Sequence, residues 1–319
     1  FSSNIGATSA DYAPLTTVTI KNNTRFYAVT KSTEPITVTF NANGANSVTS
    51  SLKCYRFNGG SSCSITSPTP EVKSGYTLIG FNSNALATES SWGVGIPKQI
   101  SSNETYYVIQ GKKITAKFID NGTSFEVSCT LYNKNNECSV SSPTITPPNG
   151  FEAVGWTLDE GGTTSSLGVN GNASISSNVK YYSITKKQIT VSFKQNGSKT
   201  EATSRSCHVY NGSESGCSIT TPDITPQNGF NVVGWNTDSN ATSSSLNVNT
   251  SINIKNDKIY YAITKKQVKV SFKQNGSNSA DSTQTCTVYN GLSEGCSIVS
   301  PKITPKSGFE VVGWNTDSN

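Results

Sequence analysis

The sequence predicts a mostly β protein: a tandem array of small β-repeat domains, drawn out as an elongated rod, with one disulfide-closed hairpin per repeat. Three observations carry that prediction. A Gly-aromatic pair recurs at Gly80-Phe81, Gly155-Trp156, Gly234-Trp235 and Gly313-Trp314, at intervals of 75, 79 and 79 residues. That period is too long for a solenoid coil and right for a small domain. Apolar residues alternate with polar ones in short runs, and no helical periodicity exceeds two turns. Eight cysteines fall as one pair in each period.

A second marker keeps the same phase: Phe26-Tyr27, Tyr106-Tyr107, Tyr181-Tyr182 and Tyr260-Tyr261. Together the markers divide the chain into a C-terminal half-repeat at 1–30, repeats at 31–110, 111–185 and 186–264, and an N-terminal half-repeat at 265–319. The third repeat shows the elements in order. Ile189 to Phe193 alternates as a strand, and Asn196-Gly197 follows as a type I′ hairpin signal that returns at Asn43-Gly44, Asn121-Gly122 and Asn275-Gly276. Cys207 to Tyr210 and Cys217 to Ile219 read as strands around a turn. Pro222 to Pro226 crosses over without joining a sheet centre, because proline removes a ladder donor. Gly229 to Trp235 is the next strand and Lys258 to Thr264 the last.

At the junctions Tyr261-Ala-Ile-Thr runs directly into Lys265-Lys-Gln-Val, with neither Gly nor Pro between them. Flexible linkers are Gly/Ser-rich and semi-rigid spacers Pro-rich, so this join implies a stiff connection. Both ends read as half-repeats, which is expected of a window on a longer array. A unit permuted relative to this frame, or half-repeats completed by neighbouring molecules as in a surface filament, would give the same ends.

Each cysteine pair flanks a turn rich in Asn, Gly and Ser: Cys54 and Cys63, Cys129 and Cys138, Cys207 and Cys217, Cys286 and Cys296. Of the 105 formal connectivities the repeat selects the local one. A loop of about ten residues closed in this way contributes roughly 2.5–3 kcal/mol. Metal binding would need four suitable ligands in reach, and the whole chain has one histidine. Disulfides imply an oxidising compartment, hence an extracellular or cell-surface location.

Composition narrows the function further. Ser and Thr number 88 and Asn 33 of 319 residues, with 33% hydrophobic and 14% charged, a polar surface over small cores. The net charge of +5 is scattered, so the basic face that nucleic acid needs is absent. No apolar run approaches the roughly 20 residues that cross a bilayer, so no membrane insertion is expected in this segment. Phe1-Ser-Ser-Asn resembles no signal and the chain has no methionine, so targeting sequences are expected outside it. Nine Asn-x-Ser/Thr sequons are what 33 asparagines give by chance.

Candidates for chemistry are few. His208 stands on a strand and has Tyr55, Thr130 and Thr287 at its counterparts, so no triad, Cys/His dyad or zinc site can be assembled around it. Asp159, Asp238 and Asp317 recur three residues after the aromatic, with Asn84 in the first repeat, and suit turns better than a paired-carboxylate hydrolase. Glycine-rich phosphate loops and cofactor motifs are absent, and no enzyme is expected. Trp156, Trp235 and Trp314 end apolar strands and read as core rather than sugar platforms. Trp92, in Ser-Ser-Trp-Gly of the first repeat alone, is open to ligand contact or simply to packing within its loop. A Lys-Asn isopeptide crosslink among Lys187, Lys266, Asn196 and Asn275 is the remaining covalent option.

Val-Ser-Phe-Lys-Gln-Asn-Gly, Ile-Thr-Pro-Lys-Ser-Gly-Phe-Glu-Val-Val-Gly-Trp-Asn-Thr-Asp and Tyr-Tyr-Ala together resemble the Listeria-Bacteroides repeat family, the internalin-type B-repeats. The resemblance covers essentially the whole chain in four periods. It implies a small β-grasp-like module strung in tandem on exported bacterial surface proteins, as a structural stalk or an adhesin, without catalysis. The expected partners are neighbouring repeats of the same chain, and for an adhesin a glycan or host surface protein.

Overall fold

The computed structural model describes residues 1–293 and 295–317; Ser318 and Asn319, at the end of the expected half-repeat, lie outside the described residues. Two compact units emerge: Phe1–Ile145 with Gly155–Ser183, and Thr146–Val154 with Ile184–Asn319. Among the described residues, every regular element of four or more residues is a β-strand.

In the first unit the alternation of β1 (Ile36–Asn41) buries Ile36, Val38 and Phe40. β1 pairs antiparallel with β2 (Ser51–Cys54). The chain then leaves that sheet through β3 (Cys63–Thr66), passes β4 (Thr77–Asn82), and β5 (Pro97–Ile100) pairs back on β3 as a separate two-stranded sheet. β6 (Glu104–Asp120) returns between β1 and β4, parallel to the first and antiparallel to the second. The first and last strands of the repeat are therefore parallel neighbours at the centre of a β2-β1-β6-β4 sheet. Val38 and Phe40 from this sheet, Ile65 and Ile100 from the small one, and Phe81 and Trp92 form the first core.

The second repeat restarts within β6, whose residues from Gly111 onward pair with β7 (Thr123–Tyr132). β8 (Cys138–Ser141), β9 (Glu152–Thr157) and β10 (Asn172–Ile175) follow, with β10 on β8. The first residues of β11 (Val179–Lys194) lie parallel to Ala116–Ile119. In the second unit β11 pairs with β12 (Thr203–Tyr210), and β13 (Cys217–Thr220) with β15 (Ser251–Ile254). β14 (Asn231–Asn236) lies against β16 (Lys258–Phe272), which starts parallel to Val191–Lys194 and ends paired with β17 (Ser282–Tyr289).

The Gly-aromatic pair sits on a bulge. Register shifts at Leu78/Gly80 and at Val232/Gly234, where the two glycines have φ of 141° and 138°. A Cβ at Gly234 would come within 2.4 Å of the Leu246 carbonyl oxygen, so glycine there is required by both conformation and space.

Three sequence expectations are corrected. The cystines do not close hairpins: Cys54 ends a strand of the main sheet and Cys63 begins one of the small sheet, and Cys129–Cys138 and Cys207–Cys217 repeat that corner. Asn-Gly forms a two-residue hairpin only at Asn121-Gly122, where Asp120 faces Thr123; Asn43-Gly44 and Asn196-Gly197 open longer loops. Residues 309–314, expected as a strand ending in Trp314, are not in a strand. The linker-free junctions at 110/111, 185/186 and 264/265 lie within the continuous strands β6, β11 and β16.

Candidate functional site

The residues with the most constrained geometry lie where one repeat meets the next. After β4 the chain turns at Asn84, whose N–H donates to Asn82 Oδ1 at 2.9 Å and whose Oδ1 accepts from the Leu86 N–H at 3.0 Å. Asp238 makes the same turn with Asn236 Oδ1 and the Asn240 N–H. The carboxylate thus serves a turn, as the aspartate at this position suggests.

Two asparagines bind the carbonyls of that turn. Asn43 Nδ2 donates to Ala85 (2.8 Å) and Val108 (3.1 Å). From the second repeat, Asn133 Nδ2 donates to Ala85 (3.3 Å) and Ala87 (3.0 Å), while its Oδ1 accepts from the Gln110 N–H at 3.1 Å. In the other unit Asn196 reaches Ser239 and Ala262, and Asn290 reaches Ser239 and Ala241 while accepting from Thr264. Asn58 holds Thr30 and Ala7 in the same manner. Asn211 Oδ1 accepts from the Thr185 N–H. Asparagine suits these positions because it tolerates the left-handed conformation adopted here, φ 41–54°, and offers two donors and an acceptor at once.

Asn58, Asn133, Asn211 and Asn290 escaped sequence reasoning although the signal was present. Each stands four residues after the first cysteine of its pair and directly after an aromatic: Phe57-Asn58, Tyr132-Asn133, Tyr210-Asn211 and Tyr289-Asn290. The cystine at the sheet corner pins the very turn that carries the asparagine.

Contacts also run forward. Tyr76, in the first repeat, packs against the second core, and Phe151 packs against the third. Lys112 lies over Gly75, Lys187 over Gly150 and Lys266 over Gly229. A Cβ at Gly44 would meet the Asn133 carbonyl oxygen at 2.9 Å, and one at Gly197 the Asn290 carbonyl oxygen at 1.9 Å, so both glycines exist for close approach between repeats.

The structure brings each predicted cysteine pair together at a Cα separation of 5.9 Å, within the range a cystine spans. Trp92 is not offered to a ligand. It is 4% exposed, packs with Phe40, Phe81 and Tyr106, and donates its indole N–H to the Ile96 carbonyl at 2.8 Å. Its uniqueness has a packing reason. Phe81 bridges to Trp92 where Trp156 bridges to Leu167 and Trp235 to Leu246, so the first repeat exchanges the large and small partners of one pair. Trp156 and Trp235 are fully buried, and their indole N–H groups donate to the carbonyls of Pro143 and Pro222; Trp314 is partly buried and donates to Pro301.

Beside Trp92, the Tyr106 hydroxyl donates to Glu104 at 2.7 Å and accepts from Lys98. Burial raises the Tyr106 pKa above the usual phenol value, partly offset by Lys98. His208 is exposed on β12. The isopeptide candidates are not juxtaposed: Lys187 and Lys266 lie over glycines, and Asn196 is engaged by backbone carbonyls.

A family model described as the Listeria-Bacteroides repeat domain matches residues 37–107, 190–263 and 269–319. No curated protein matches the chain.

Proposed function

The chain belongs to the Listeria-Bacteroides repeat domain family, and from that premise we propose that it is a non-catalytic spacer, a stalk segment of an exported bacterial surface protein. The observation that carries this reading is β6. One strand of 17 residues gives Tyr106 and Val108 to the first core and Ile114, Ala116 and Phe118 to the second. Repeats joined by a shared strand, a backward asparagine grip and a forward aromatic hold a spacing that a flexible linker would not. We read the mixed sheet with parallel central first and last strands as β-grasp-like, and four cystines support export to an oxidising compartment. The sole histidine, exposed on a strand, supports a role without catalysis. The adhesive alternative rests on the family resemblance and on an atypical first repeat with its Trp92 loop and Arg56-Phe57; the burial of Trp92 removes one of its candidate contacts and favours the spacer.

Hydrogen exchange tests the proposal. Amides from Ile109 to Ile114 should exchange as slowly as those of Val38 and Phe118. Exchange at these junction amides as fast as in an open linker would reject the spacer reading.

A further inference from the structure

Among the surface pockets, the charged cluster at Tyr106 and the repeat junctions, the feature that carries furthest is the direction of the strands that bear the chain ends of each repeat. In the first repeat Val38–Asn41 lies beside Glu104–Tyr107, in parallel. In the second, Ala116–Ile119 lies beside Val179–Tyr182, and in the third, Val191–Lys194 beside Lys258–Tyr261. One side-chain bond lengthens each ladder at its start: Asn103 Oδ1 accepts from the Thr37 N–H (2.8 Å), Asn178 Oδ1 from Thr115 (2.9 Å) and Asp257 Oδ1 from Thr190 (2.8 Å).

We propose that each complete repeat is a shear clamp, a mechanical device whose force-bearing element is this parallel pair. Tension enters a repeat at the start of its first strand and leaves at the end of its last. Because the two are parallel, they are pulled in opposite directions along their length. The evenly spaced bonds of a parallel ladder are then loaded together, whereas ends emerging at the same edge would open one bond at a time. The repeat gives way only when the set fails at once, so resistance is a barrier to unfolding rather than an equilibrium stability. The spacer reading supplies the clamp's use, but the geometry stands without it.

The cystine sits inside the clamped segment. Of the 72 residues from Ile36 to Tyr107, the Cys54–Cys63 bond withholds nine from extension, so reduction should lengthen the release from the first repeat by about one seventh, since contour scales with residue number.

The test is force spectroscopy on the full chain held at its two ends. Three events are expected, each releasing a whole repeat in one step, with the first lengthened by about one seventh after reduction. The combined variant Asn103→Ala, Asn178→Ala and Asp257→Ala should unfold about five-fold faster at constant load, the factor that one net hydrogen bond gives. Ser141→Ala, which removes a bond to Asn172 in the small sheet, should leave the rate unchanged. Release in several short steps, or equal effects of the two variants, would overturn the clamp. If the combined variant does not fold, the loading-rate dependence of the native chain decides: a short distance to the barrier supports shear, and a long one refutes it. The spacer reading fails separately, on junction exchange.

Discussion

Phe81 and Trp92 show how a residue acquires meaning from its partner. In two later repeats the bulge aromatic is tryptophan and its bridge partner leucine; here the bulk has moved across the pair. Phe81→Trp alone should overpack the first core, costing about 1–3 kcal/mol. Trp92→Leu alone should leave a cavity, costing about 2–4 kcal/mol. The double variant recreates the later arrangement, and Pro68 stands thirteen residues before Phe81 as Pro143, the indole's acceptor, stands before Trp156. Urea denaturation should therefore give a coupling of about 1–3 kcal/mol in the restoring sense; additive losses would contradict the exchange.

At the scale of elements, the cystine corner explains why so polar a chain folds into units of this size. The small sheet has only two short strands, and an isolated pair of this kind is marginal. The Cys54–Cys63 bond ties it to the main sheet and fixes the turn bearing Asn58. Replacing Cys207 and Cys217 together by serine should lower stability by about 2.5–3 kcal/mol from loop entropy. It should also speed exchange at the Thr185 amide, which Asn211 holds. A stability loss without any change at Thr185 would show that the two functions of the corner are separate.

Beyond the single element, the junction contacts within each unit make adjoining repeats interdependent, as in repeat proteins generally. Asn133→Ala removes a buried amide that serves the Ala85 and Ala87 carbonyls and the Gln110 N–H. The expected loss is about 1–3 kcal/mol, because the N–H of buried Gln110 loses its side-chain acceptor and Ala87 its donor, while Ala85 keeps Asn43. Its location is the sharper prediction: exchange should quicken at Gln110, in the first repeat, although the substituted residue lies in the second. Protection lost only around residue 133 would mean that the repeats fold independently.

The sequence by itself determined the class, the period and the local cystine pairing, because alternation, recurrence and short separation along the chain are all properties of a single segment. The strands at Ile189–Phe193 and Cys217–Ile219 and the core tryptophans follow from the same local rules. Tertiary structure alone decided what depends on two distant segments. That Cys54 and Cys63 belong to different sheets rests on pairings with Ile36 and Ile100. That Trp92 is core rather than exposed rests on Phe40 and Phe81. Asn133 and Asn290, of a polar residue type elsewhere read as loop, became buried ties because their donors meet carbonyls some fifty residues away. Periodicity reports which residues are alike, but only the parallel return of the last strand beside the first fixes what they touch.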